Sequence, residues 1–219
     1  MHRALRIVST ALITAGIVVL LDVAMTLIWK EPMSTVYGSI QQGDAKDSLA
    51  ELQEAFPDTD ELTGLEDAAL ARRIARIADR FEDKVEVGNG IGTIRIPSID
   101  LDMVFVEGTD SASLQKGPGH YPETAYPGQG HTVAIAGHRT TYLAPFNAID
   151  DIEEGDEIEL EMPYATLTYE VSGHRVVDPE DVWVLKDRNR ERLVLSACHP
   201  KFSAAQRYII FAELTGIEV

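Results

Sequence analysis

The sequence predicts a mainly β protein, a single closed β-barrel of about eight strands, with an N-terminal helix and an N-terminal transmembrane helix before it. Short β-branched segments separated by turns fill the chain from residue 91 onward, and helical patterns there are few. Many short strands with few helices favour one closed barrel over alternating β-α-β units. The strand candidates are 91–96, 99–106, 132–136, 157–162, 167–177, 193–197 and 208–214.

An apolar run near the N-terminus predicts a membrane anchor. Residues 7–29 are 23 positions with one charge, Asp22, and a helix needs roughly 20 mainly apolar residues to cross a bilayer. Because Arg3 and Arg6 precede the run, the positive-inside rule predicts a cytoplasmic N-terminus. We therefore expect a single-pass protein of the cell membrane whose residues 1–29 are tail and anchor and whose remainder is extracellular.

The rest of the chain divides into three parts. Residues 30–64 are polar, with scattered Gly, Pro, Asp and Ser, and this composition predicts a linker or stalk. Residues 65–90 are predicted as the N-terminal helix, and residues 91–219 as the barrel. The helix has one apolar stripe because its large apolar residues recur at spacings of 4, 3 and 4; they are Leu70, Ile74, Ile77 and Phe81.

Composition excludes several classes of function. The formal net charge of −17 argues against nucleic-acid binding, because phosphates need neutralisation by Lys and Arg. The histidines show no tight ligand spacing, and one cysteine cannot build a thiolate site, so we predict no metal and no cofactor. The acidic pairs at 150–151 and 153–154 are more typical of solvated turns than of a Ca²⁺ site.

Three chemically active residues stand at the ends of apolar strand candidates. Cys198, the single cysteine, closes one strand, His138 follows another, and Arg207 opens the last. A thiolate is a nucleophile, an imidazole can share its proton, and a guanidinium suits a developing oxyanion. Taken singly, each has a simpler explanation: an inert buried thiol, a surface histidine, or a salt-bridge partner. Together they predict cysteine acyl-transfer chemistry.

The local sequence resembles the sortase family. Leu-Val-Leu-Ser-Ala-Cys at 193–198, with Arg207 nine residues later, is similar to the family's Thr-Leu-x-Thr-Cys strand and downstream Arg. Ala-Gly-His-Arg at 136–139 matches the strand end that carries the family's histidine. Ala197 departs from the usual threonine. The resemblance spans about 91–214 and implies a sortase-like barrel with Cys198, His138 and Arg207 as the catalytic residues.

That resemblance also implies substrates and partners. A sortase cleaves the C-terminal sorting signal of a secreted protein through a thioester and transfers the acyl group to an amine, such as a peptidoglycan precursor. The segments 117–122, 136–141 and 198–204 look like class E sortases of high-GC Gram-positive bacteria. Class E implies a Leu-Ala-x-Thr-Gly-like signal and a tyrosine before the His-bearing strand that chooses Ala. By position this substrate-binding residue looks like Tyr121, with Tyr126 and Tyr142 as the other candidates.

Three alternatives stay open at this point. Pilin-polymerising class C sortases often carry an Asp-Pro-aromatic lid before the barrel, whereas Asp-Pro-Glu at 178–180 lies inside it. An L,D-transpeptidase is also an exported Cys-His-Arg enzyme, but its Arg sits within a residue or two of the Cys. The third alternative is an anchored β-domain that binds a partner and has lost activity.

Overall fold

Helices dominate the first part of the chain and strands the second. This computed structural model describes residues 2–28, 32–56, 62 and 67–219. The helices are α1 (His2–Ile28), α2 (Pro32–Glu54), α3 (Asp67–Glu82) and the short α4 (Ser111–Leu114). The strands are β1 (Gly90–Ile96), β2 (Leu101–Glu107), β3 (Gly119–His120), β4 (Thr132–Gly137), β5 (Glu157–Met162), β6 (Ala165–Val177), β7 (Arg192–His199) and β8 (Gln206–Glu218).

The eight strands form a closed barrel, which confirms the predicted mainly β barrel. Their order around the barrel is β1-β2-β3-β4-β7-β8-β6-β5. The pairs β2–β3 and β4–β7 are parallel, and the other pairs are antiparallel. Strand β3 was not predicted, because two residues are too short to show any periodicity.

Alternation along the strands separates an inner from an outer face. In β7, Leu193, Leu195 and Ala197 belong to the large apolar core inside the barrel. Val194 points the other way and belongs to a smaller apolar cluster on the outer face. We call this the outer cluster; its buried residues are Ala134, Val177, Val184, Val194 and Ile209. Successive side chains of a strand point to opposite sides, so the face of every β7 residue follows from its number.

Helix α3 packs its predicted stripe against the barrel core. Ile74 and Phe81 are buried, and Leu70 and Ile77 are partly buried against the same core residues. The ring of Phe81 meets that of Tyr164 edge-on, with centroids 5.3 Å apart. The apolar stripe read from the sequence is therefore the face that attaches α3 to the barrel.

Residues 32–54, predicted as part of a linker, form helix α2, and α2 packs on the barrel. The side chain of Gln42 accepts a hydrogen bond from Val104 N (2.8 Å) and donates to Val104 O (3.0 Å). Ala45 and Leu49, three and seven positions further on, are buried with Val104 and Val106. Composition gave no signal for this packing, because a buried glutamine holds the contact and composition counts glutamine as a surface residue.

The predicted transmembrane helix was placed over residues that the structure describes only in part. Within the described residues, no helix combines the length and the apolar character needed to cross a membrane. Trp29, at the end of the predicted span, lies outside the described residues.

A half-buried carboxylate holds the loop between β3 and β4. Glu191 accepts hydrogen bonds from the backbone N–H of Gly128 (2.8 Å) and of Gly130 (2.6 Å) and from the hydroxyl of Tyr169 (2.8 Å). Both glycines have positive φ, 93° and 83°, which favours residues without a Cβ. Burial raises the pKa of Glu191, while the three hydrogen bonds favour its charged form.

We expect Glu191→Gln to destabilise the fold by about 1–3 kcal/mol, because an amide NH₂ would face at least one of these donors. The free energy of unfolding from urea denaturation measures the loss. A change below about 0.5 kcal/mol, the usual size for a surface substitution, would contradict the anchoring role of this carboxylate.

Candidate active site

The ends of three neighbouring strands bring Cys198, His138 and Arg207 together. In the parallel pair β4–β7, Gly137 lies opposite Ala197, so His138 and Cys198 are the next residues along the two chains. In the antiparallel pair β7–β8, Cys198 lies directly opposite Arg207. Neighbouring strands are about 4.8 Å apart, so all three residues meet at one end of the barrel.

All three positions belong to the outer face of the sheet. Cys198 is in phase with Val194 of the outer cluster and out of phase with Ala197 of the core. Arg207 is in phase with Ile209 of the outer cluster in the same way. Cys198, His138 and Arg207 are each half-buried, which leaves the thiol open to a substrate laid across the outer face.

The surroundings of His138 keep its imidazole neutral. Burial lowers the pKa of His138 from its ordinary value of 6.5, and its ring lies against that of Tyr142, with centroids 5.4 Å apart. The backbone N–H of Phe146 donates to His138 O (3.0 Å). A neutral imidazole beside a thiol can accept the thiol proton.

Glycine is required immediately before His138. A Cβ on Gly137 would lie 2.4 Å from Cδ2 of Phe146. Phe146 is fully buried in the barrel core, so it has little room to move. The close approach explains why the strand that carries the histidine ends in Gly-His.

Hydrogen bonds from one nitrogen hold the guanidinium of Arg207 at the site, and its other nitrogens carry further N–H donors. Its Nη1 donates to Ala204 O (3.0 Å) and to Gln206 O (2.9 Å). A guanidinium carries five N–H donors in a fixed fork. Two hydrogen bonds from one nitrogen orient the group and leave other N–H donors to offer to a substrate carbonyl.

Tyr121 shares the outer face with the three residues but lies away from the strand ends. Its ring packs against the outer cluster that includes Ala134 and Val194, and its backbone N–H donates to Ala134 O (3.0 Å). Two other tyrosines of this region, Tyr126 and Tyr142, are placed differently. Tyr126 is only 5% exposed and packs in the core, whereas the ring of Tyr142 lies tilted against that of His138.

The sequence did not reveal a set of contacts just beneath the three residues. Arg139, His199 and Tyr208 each follow one of them in the chain, and they contact one another. Adjacency to Cys198 or His138 was visible in the sequence. The two contacts of Arg139 join residues 60 and 69 positions apart, and a single sequence gives no signal for such pairs.

Comparison with known proteins decides the family. The Sortase domain family matches residues 94–215, which is more than half of the chain. The chain belongs to the sortase family. Sortases are cysteine transpeptidases, and the family match decides against the L,D-transpeptidase alternative.

Sequence and structure relatives come from several sortase classes. Sortase D of Bacillus subtilis is 36% identical over 135 residues, which cover 59% of this chain and 66% of that protein, just under two thirds of its length. A Sortase D5 transpeptidase of Clostridium perfringens superposes with a TM-score of 0.62 at 27% identity, covering 80% of this chain and 99% of the other. Sortase E1 of Streptomyces coelicolor, solved with a tripeptide in its active site, gives 0.56 at 27% identity, covering 60% and 91%.

The lowered pKa of His138 predicts the acidic side of the pH profile. The reactive form of a thiol–imidazole pair holds one proton between the two groups, whichever atom carries it. A second proton inactivates the pair, and because burial lowers the pKa of His138, the midpoint for binding that proton lies below the ordinary value of 6.5. We expect kcat/KM to fall on the acidic side of the profile, with the midpoint of the fall below pH 6.5. An acidic limb with its midpoint above pH 7 would contradict this environment for His138.

Proposed function

We propose that the chain is a cysteine transpeptidase that cleaves a C-terminal sorting signal and transfers the acyl group to a cell-wall amine. One observation carries the proposal: the strand pairing sets Cys198 beside both His138 and Arg207, on one face of the sheet. Packing alone does not require a thiol, an imidazole and a guanidinium at three adjacent strand ends.

The first half of the proposed reaction forms a thioester. His138 takes the proton of the Cys198 thiol, and the sulfur attacks the carbonyl carbon of the scissile peptide bond. Arg207 donates hydrogen bonds to the oxygen, where negative charge develops. The C–N bond then breaks, and the leaving amine takes the proton from His138.

The second half transfers the acyl group. An acceptor amine attacks the thioester carbonyl, His138 accepts the proton that this amine loses, and the thiolate leaves. A new amide forms, and the Cys198–His138 pair again holds one proton, as it did at the start. A peptidoglycan precursor is the proposed acceptor, and secreted proteins with a C-terminal sorting signal are the proposed donors.

The proposed class is E, with a Leu-Ala-x-Thr-Gly-like signal. The motifs at 117–122, 136–141 and 198–204 support it, as does the likeness to Sortase E1 at 27% identity. A class D-type enzyme is the second candidate, because Sortase D of Bacillus subtilis is 36% identical. The residue that the enzyme accepts after Leu in the sorting signal distinguishes class E from the class D-type candidate.

The proposed location is the cell surface, with the N-terminus in the cytoplasm and the barrel outside. Arg3 and Arg6 before the apolar run 7–29 support this orientation. Apolar side chains of α1 are exposed, among them Ile7 (70%) and Leu12 (68%). A bilayer would cover such side chains. Attachment of the chain to the membrane through this helix is part of the proposal.

A competition experiment tests the substrate class. The full chain in detergent micelles is given equal amounts of Leu-Ala-x-Thr-Gly and Leu-Pro-x-Thr-Gly peptides, and cleavage products are separated by chromatography. We expect a preference for Ala, because its backbone N–H can donate to the hydroxyl of Tyr121, whereas Pro has no N–H. An unpaired polar group costs about 1–3 kcal/mol, roughly tenfold to a hundredfold in specificity.

Tyr121→Phe is the matched variant, since it removes the hydroxyl and keeps the ring that packs on the outer cluster. The Ala preference should shrink in this variant. An unchanged preference would refute the hydroxyl mechanism alone. A wild type that prefers the Pro peptide would refute the class E assignment and favour the class D-type candidate.

A further inference from the structure

A buried arginine joins the two strand ends that carry His138 and Cys198. Arg139 directly follows His138, and only 3% of its surface is exposed. Its Nη1 lies 3.0 Å from Nδ1 of His199, the residue that follows Cys198. Its Nη2 pairs with the carboxylate of Asp150, in the short turn Ile149–Asp151.

The contacts of Arg139 form a second set directly behind the three active residues. His199 and Tyr208 directly follow Cys198 and Arg207, so their side chains point to the opposite face of the sheet. The guanidinium of Arg139 lies over the Tyr208 ring, 5.9 Å from its centroid, and the His199 ring is 5.7 Å from the same ring. Arg139 therefore contacts both His199 of β7 and Tyr208 of β8.

Arg139 is fixed at both ends. Its backbone carbonyl accepts a hydrogen bond from Nδ2 of Asn147 (2.7 Å). Partial burial alone would raise the pKa of Asp150, but the hydrogen bond and charge of Arg139 lower it, so the carboxylate is ionised at neutral pH. The ion pair thus holds the guanidinium in place across the neutral range.

Stability is a poor explanation for this arginine. The Nε of Arg139 is buried and has no hydrogen-bond partner within the described part of the chain. A buried unpaired donor costs about 1–3 kcal/mol, and well-packed apolar residues often serve a core as well as a buried ion pair does. A costly group retained beside reactive residues fits a positioning role.

We propose that Arg139 is a positioning residue for acyl transfer: through His199 and Asp150 it fixes the imidazole of His138 relative to the thiol of Cys198. This inference rests on the proposed function. Arg139 itself is too buried to touch a substrate. It acts by holding the end of β4 against the end of β7, because a small displacement of paired reacting groups slows the chemical step.

The direction of the Arg139–His199 hydrogen bond defines two variants of His199, one that keeps the hydrogen-bond acceptor and one that removes it. An arginine N–H only donates, so Nδ1 of His199 accepts and the ring carries its proton on Nε2. In His199→Asn the amide oxygen can take the place of Nδ1 and keep the acceptor. In His199→Leu the acceptor is lost while the side chain keeps a similar bulk.

The test compares these variants with Arg139→Met in the full chain. We measure kcat and KM for cleavage of a Leu-Ala-x-Thr-Gly peptide, the rate at which iodoacetamide alkylates Cys198, and the urea midpoint. Arg139→Met and His199→Leu should lower kcat roughly 10- to 100-fold, with KM little changed and slower alkylation. His199→Asn should keep most of kcat. Glu191→Gln is the control, destabilised at the opposite end of β7 with kcat unchanged.

The inference is overturned if His199→Leu and Arg139→Met both retain wild-type kcat and alkylation rates. It is equally overturned if His199→Asn and His199→Leu lose activity to the same extent, or if Glu191→Gln loses as much kcat as they do. Should Arg139→Met fail to fold, the two His199 variants decide. Activity in Cys198→Ala would instead refute the proposed function. In that case the alkylation rates of the Arg139 and His199 variants would still test whether these residues position His138 against Cys198.

Discussion

Replacing Cys198 with alanine is expected to abolish both peptide cleavage and amine transfer. Cys198 is the single cysteine of the chain, and the reaction proposed here passes through a thioester on its sulfur. Alanine removes only the sulfur at a half-buried position, so the fold should persist. Chromatography of a sorting peptide incubated with an acceptor amine should show neither product above background.

The wild type supplies its own control for this variant. Wild-type protein alkylated with iodoacetamide should be as inactive as Cys198→Ala, because no second thiol is available to react. Matching urea midpoints would show that the loss is chemical rather than structural. Turnover by Cys198→Ala would end the account of this chain as a cysteine enzyme.

His138→Ala should reduce kcat by roughly 10²–10⁴-fold, the usual worth of a positioned acid–base group. The imidazole both takes the thiol proton and delivers it to the leaving amine, so its loss slows acylation and also slows alkylation of Cys198. Steady-state kinetics with a fluorescent sorting peptide, together with the alkylation rate, measure the two effects.

His131→Ala is the matched control for this substitution. His131 precedes β4 at the end opposite to His138, is exposed, and pairs with Asp187 at 2.9 Å. Its removal should leave kcat within about twofold of wild type, since surface substitutions change little. Equal losses in the two alanine variants would contradict a specific role for His138.

The barrel could be predicted because its strands carry their own pattern. β-branched alternation and turn residues mark seven of the strands in the sequence, and many short strands with few helices favour a closed barrel. β3 has only two residues, and its pairing with β2 and β4 shows only in three dimensions. The packing of helix α2 on the barrel has no signal in the sequence for another reason, because Gln42 makes a polar contact where sequence patterns look for an apolar one.

The candidate site was predictable as residue types at strand ends, but its assembly was not. Cys198, His138 and Arg207 stand out because each adjoins an apolar strand. That β4 lies beside β7 depends on the pairing of residues sixty positions apart, which no local pattern encodes. The contact of Arg139 with His199 depends on the same pairing, so it could be found only from the structure.

The placement of Tyr121 illustrates a further limit. The resemblance to class E sortases pointed to this tyrosine, and the structure places its ring on the outer cluster beside Ala134 rather than at the strand ends. Tyr142, whose ring does lie against that of His138, belongs to a turn whose residues 142–144 all have positive φ. Three consecutive non-glycine residues in that region are uncommon, and the sequence carries no signal for it.

The mass of the intact protein during turnover tests the central claim most directly. Wild-type protein incubated with a sorting peptide and no added amine should gain the mass of the acyl part of the peptide. Proteolysis and tandem mass spectrometry should place that group on Cys198, and hydroxylamine should release it as expected for a thioester. Product formation with the acyl group on another residue, or an identical mass gain in Cys198→Ala, would contradict the account.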